Sequence, residues 1–117
     1  MNPTTNPEEI LGGLVLELRR GTIVLSTLAL LAKPVYGYSL VQELTQSGIP
    51  VEANTLYPLL RRLEKQGLLE SRWETDGPKP RKYYAATAFG LEVLEALKGH
   101  WQAAAQNMNA ILEEEPS

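Results

Sequence analysis

The sequence predicts a mainly α-helical chain with one small β-hairpin and a long C-terminal helix. Three observations carry that expectation. Apolar residues recur at helical spacing over most of the chain, the period changes to 2 only between about residues 68 and 87, and a helical pattern then resumes to about Leu112.

The elements follow in chain order. Glu8 to Leu16 is helix-compatible but interrupted by Gly12-Gly13, so residues 1–16 read as a flexible or loosely docked extension. Glu17 to Lys33 carries Leu18, Ile23, Val24, Leu25, Leu28, Leu30 and Leu31 on most sides of a helix, which suits a central core helix ended by Lys33-Pro34. A shorter helix, about Tyr36 to Gln46, would bury Leu40, Val41 and Leu44, and Gly48 with Pro50 turns the chain out of it. In the third helix Leu56, Leu59, Leu60 and Leu63 fall at i, i+3, i+4 and i+7, one buried stripe. The rest of its surface offers Asn54, Thr55 and Tyr57 in the first turn, then Arg61, Arg62 and Lys65. Gly67 closes it, and Pro58, which lacks a backbone donor, predicts an irregular start. Two helices joined by a short glycine-containing turn, the second with a basic polar face, outline a helix-turn-helix.

Leu68 to Glu74 and Arg81 to Thr87 alternate as strands around the turn Thr75 to Pro80. A hairpin directly after such a helix, with Lys79, Arg81 and Lys82 on its tip and returning strand, makes the predicted fold a winged helix-turn-helix over residues 17–87. A plain core-covering hairpin with solvated lysines is the competing reading. Thr87 can cap the last helix. There Leu94, Leu97, Trp101, Ala104, Met108 and Ile111 keep heptad spacing for about two and a half repeats, short of a secure coiled coil. The winged domain is already closed without this helix, so residues 88–117 are expected to form a dimerisation arm and an acidic tail. A helix packed on its own domain is the alternative.

Composition narrows the function. The 117 residues suit one domain, and 44% hydrophobic with 21% charged residues is ordinary for a globular protein. Cysteine is absent, which excludes disulfides and thiolate metal sites. The apolar run Ile23 to Leu31 is too short to span a membrane, and the N-terminus lacks the pattern of a signal peptide, so a cytoplasmic location is expected. One histidine and one aspartate supply no catalytic constellation, and no enzyme activity, metal or cofactor is expected. Gly21 to Leu25 lacks the spacing and lysine of a phosphate loop, and His100 reads as a solvated or interfacial histidine. The net charge is −3, yet residues 51–86 hold seven basic groups against five acidic ones, the pattern of a basic face on an acidic body.

The stretches PVYGYSLVQEL, NTLYPLLRRLEKQGLLESRW and GPKPRKYYAATAFG resemble, in order and spacing, the signatures of PadR-family transcriptional regulators, particularly the short subfamily with one C-terminal helix. The resemblance covers about Leu18 to Trp101; Ala86, where a larger apolar residue is common, departs from it. It implies a winged helix-turn-helix homodimer that binds palindromic operator DNA, usually as a repressor, with release by a small-molecule effector in some members. On these grounds the DNA contacts are expected from Tyr36, Tyr38, Asn54, Thr55, Tyr57, Arg61, Lys65, Lys79, Arg81 and Lys82. The dimer surface is expected from Leu94, Leu97, Trp101, Ala104, Met108 and Ile111. Trp101 is the candidate for stacking on a planar aromatic effector. The rival reading is a winged helix that docks a protein instead of DNA, which should expose aromatic or apolar anchors where a DNA surface presents basic and hydrogen-bonding groups.

Overall fold

The computed structural model describes residues 6–113. Its elements are α1 (Pro7–Leu30), β1 (Val35–Tyr36), α2 (Gly37–Gln46), α3 (Ala53–Lys65), β2 (Leu69–Glu74), β3 (Arg81–Ala86) and α4 (Ala88–Glu113). The mainly helical winged architecture is as expected. Residues 1–5, part of the expected extension, and residues 114–117 of the acidic tail lie outside the described residues.

Helix α1 corrects the first expectation. It runs without a break through Gly12-Gly13 and across the boundary placed after residue 16. Its start explains why: Asn6 Oδ1 accepts from the Glu8 amide at 2.9 Å, Pro7 occupies the first turn, and Glu8 and Glu9 complement the helix dipole. Two glycines cost about 1 kcal/mol each, too little to melt a capped helix that is anchored further on. The anchor is its C-terminal third. Thr27, Leu28 and Leu31 are buried, whereas Ile10, Leu11, Leu14 and Leu18 stand exposed, so only part of α1 is the central helix expected.

Helices α2 and α3 end in the same way. Gly48 and Gly67 adopt φ of +87° and +80°, which lets Ile49 N–H reach Leu44 O at 2.8 Å and Leu68 N–H reach Leu63 O at 3.0 Å. Leu40 and Leu44 of α2 meet Leu56, Leu60 and Leu63 of α3 in the core, with Leu59 half-buried at its margin. Pro58 does not make the start of α3 irregular: the helix is continuous from Ala53, with Thr55 and Leu56 amides both bonded to Glu52 O. Only the bond from residue 58 to the Asn54 carbonyl is forfeited, one turn from an end whose groups already face solvent.

The hairpin gains a strand that periodicity did not reveal. Val35 and Tyr36 pair with Tyr84 and Tyr83, giving the antiparallel order β1-β3-β2. Register then sorts the side chains. Val35, Leu69, Ser71, Trp73, Lys82, Tyr84 and Ala86 share the inner face, toward α3, and Tyr36, Glu70, Arg72, Glu74, Arg81, Tyr83 and Ala85 share the outer one. Thr87 Oγ1 accepts from the Gly90 amide at 3.0 Å, the cap expected for α4. Among the described residues no helix is long and apolar enough to cross a membrane.

Candidate DNA-binding surface

Three positions of the third helix repeat on one side. Asn54, Arg61 and Lys65 are exposed at spacings of seven and four, with Pro58 between them, opposite the leucine stripe. Tyr57 lies about 60° round the helix from this row, on the side of the wing. It is half-buried because Gly37 lets it close in: a methyl group at Gly37 would sit 3.1 Å from Tyr57 Cε1 and 3.2 Å from Tyr84 Cε2. Thr55 turns the other way, into a recess with Arg19 and Ile23 of α1 and Thr45 of α2. The structure therefore separates Thr55 from the residues it was expected to act with.

Between the start of α3 and the wing lies a groove of about 550 Å³. Tyr38, Tyr57, Lys79, Arg81 and Lys82, five of the expected contacts, border it together with Gly37, Trp73, Pro78, Pro80 and Tyr84, and no acidic residue does. Trp73 was not assigned a role from sequence. It is 63% exposed on the inner face, and Lys82 Nζ rests 5.8 Å from its ring centroid and 5.3 Å from that of Tyr84. Such cation–π contacts place the ammonium without neutralising it. The signal for Trp73 was its cross-strand pairing with Lys82, which follows from the hairpin register.

The three wing cations border that groove from different sides of the strand. Lys82 leaves the inner face and Arg81 the outer face of β3, so the wing carries charge on both sides of its edge. Tyr36, expected as a DNA contact, is held within the outer face. It stacks on Tyr83 with centroids 4.5 Å apart and on Tyr38 at 5.6 Å, and its hydroxyl donates to Glu74. That bond, followed by the contact with the Tyr83 hydroxyl, pushes the Tyr36 hydroxyl up to about 12. Arg81 is raised as well, chiefly by its hydrogen-bonding interaction with the Tyr36 hydroxyl.

Helix α4 divides the residues assigned to the dimer surface. Leu94 is buried in the core of its own chain and Leu97 packs against that core, so for Leu94 the heptad spacing marks intrachain packing. Ala104 is exposed, as are Trp101, Met108 and Ile111 at 51%, 51% and 65%. Trp101, His100 and Leu97 also border a recess of about 280 Å³ against Leu18, Gly21, Thr22, Val24 and Leu25 of α1.

The family model described as "Transcriptional regulator PadR-like family" matches residues 24–96. A PadR family transcriptional regulator from Eggerthella lenta superposes with a TM-score of 0.86 at 51% identity, covering 92% of this chain and 96% of that one. A PadR-like transcriptional regulator from Bacillus cereus gives 0.78 at 32% identity over 85% of this chain and 99% of its own. A transcriptional regulator of Mycobacterium tuberculosis is 43% identical over 60 residues, 51% of this chain and 56% of that protein.

Proposed function

This chain belongs to the PadR-like family of transcriptional regulators, and from that premise we propose that it is a cytoplasmic, homodimeric repressor that binds operator DNA and is released by a small-molecule effector. The observation that carries DNA binding is the alignment of the exposed row Asn54, Arg61 and Lys65 beside a groove edged by three cations and no carboxylate. A helix of this kind enters the major groove, and a wing beside it falls on the adjacent minor groove. The sugar–phosphate strand between those grooves would then lie in the space between Tyr57 and Trp73, with Lys79 and Lys82 toward its phosphates. Asn54 would pair with a base edge, while Arg61 and Lys65 meet phosphate.

Selection of bound fragments from genomic DNA would supply the operator, and deletion of the protein should raise transcription from the adjoining promoter. Asn54→Ala should then reduce the preference for that operator over random DNA by about 1–3 kcal/mol, the value of one good base contact. Thr55→Ala should do less, since Thr55 faces away from the row. Equal affinity of the Asn54→Ala protein for operator and wild-type preference retained would remove α3 from base reading. The rival protein-docking reading draws on the exposed rings of Trp73 and Tyr38. A chain that selects no DNA fragment would favour it.

Exposed Trp101, Met108 and Ile111 on α4, with Ile10, Leu11, Leu14 and Leu18 on α1, support assembly, because large apolar side chains in such number are costly to leave in water. Sedimentation should give a dimer at micromolar concentration, and Met108→Glu with Ile111→Glu should yield monomer. A wild-type monomer would refute the arm. The half-exposed Trp101 indole beside the α1 recess is the element that a planar aromatic effector would stack upon. In a Trp73→Phe background, planar cationic dyes should quench Trp101 emission saturably; emission indifferent to every dye would leave Trp101 a packing residue alone.

A further inference from the structure

Glu74 and Arg81 are direct cross-strand partners, so both side chains leave the sheet on its outer face. Opposite charges at such a position ordinarily pair. Here they do not: among the described residues the ion pair formed is that of Lys98 with Glu95. Glu74 instead accepts the hydroxyl of Tyr36, and the Arg81 guanidinium carbon lies over the Tyr36 ring, 5.2 Å from its centroid. Tyr36 is itself stacked with the rings of Tyr38 and Tyr83, and its backbone is the β1 residue paired with Tyr83.

We propose that Tyr36 is a positioning residue that occupies Glu74, keeps it out of a direct ion pair with Arg81, and thereby leaves the guanidinium donors open to a DNA phosphate. The inference rests on the DNA-binding reading of the wing. A carboxylate bonded to Arg81 would cancel the charge that a phosphate requires, and each encounter with DNA would first have to break that pair. The phenol prevents this by giving Glu74 a donor that carries no charge. Its ring meanwhile offers Arg81 a face that attracts a cation without neutralising it. The raised Tyr36 hydroxyl remains a proton donor throughout the physiological range. Tyr36 thus acts on DNA through Arg81, in place of the direct hydroxyl contact expected from sequence.

The test is the salt dependence of operator binding by the full chain. Tyr36→Phe keeps the ring and removes the donor, so Glu74 should turn to Arg81. The log–log salt slope should then fall by about one unit, with affinity at low salt about tenfold weaker, the effect of one lost phosphate contact. Adding Glu74→Gln should restore both, to within about twofold of the wild type, because a neutral amide cannot cancel Arg81. In an Arg81→Gln background, Tyr36→Phe should change neither quantity. A bracing role or a direct phosphate contact of the hydroxyl predicts the opposite for the double variant, which would stay impaired. Failure of Glu74→Gln to rescue, or a Tyr36→Phe chain indistinguishable from wild type, overturns the proposal while DNA binding stands. If the wild-type chain itself binds no operator, the DNA-binding reading falls first.

Discussion

Gly90→Ala is expected to destabilise the fold by about 3 kcal/mol, the upper range for forcing an atom into a packed interior. Gly90 is buried in the first turn of α4, and a Cβ there would lie 2.1 Å from the Leu68 carbonyl oxygen and 3.0 Å from its carbon. Neither neighbour is a side chain that can rotate away. The Leu68 oxygen also accepts the Thr87 amide at 3.0 Å, so moving it strains the cap that starts the helix. Gly99, on the same helix, is the matched control. Nothing lies within 4 Å of the methyl group it would gain, and Gly99→Ala should stabilise by about 0.5–1 kcal/mol through helix propensity. Urea unfolding at fixed protomer concentration measures both, since assembly would otherwise shift the midpoint. Equal midpoints for Gly90→Ala and wild type would mean that α4 does not dock as described.

The second large effect is expected on DNA. The Lys79, Arg81, Lys82 triple alanine variant should lose about two to three units of salt slope and about a hundredfold in affinity at low salt, as cations that contact phosphate are removed. Its unfolding midpoint should hardly move, because Lys79 and Arg81 are exposed and Lys82 is only half-buried. Single variants should each remove about one unit, since Arg81 and Lys82 project from opposite faces of the wing and do not substitute for one another. A triple variant with the wild-type slope would place the wing outside the interface.

Much of this architecture was legible because it is written in local spacing. The leucines of α3, the glycines at 48 and 67 and the alternation on either side of Thr75 to Pro80 each act within a few residues of themselves. What escaped depends on partners distant in sequence. Strand β1 is two residues long and exists only because β3 lies beside it. Leu94 fits a heptad equally well whether it faces another chain or its own α1, and here its own core claims it. Gly12-Gly13 carry a real helix penalty, but the cap at Asn6 and the anchor at Leu28 lie outside the window in which that penalty is read. Within the site, the cations were identifiable by type and position, whereas their division between two faces needed the register. The occupation of Glu74 by Tyr36 was not readable at all, since nothing in the spacing of the two residues brings them together.

The short pairing of Val35 with Tyr84 has a consequence for how the molecule folds. A hairpin with a six-residue turn could form on its own in microseconds and fray on its own as readily. Here its inner strand is stitched on the far edge to the segment that opens α2, and the Ala86 amide bonds to Leu31 O at 2.7 Å at the end of α1. The wing and α3 are thereby tied into one unit, closed only when contacts remote along the chain are made. Undoing the wing therefore also breaks contacts at the start of α2 and the end of α1. A core defect then lowers the number of folded molecules, and those that remain keep α3 and the wing at their native separation.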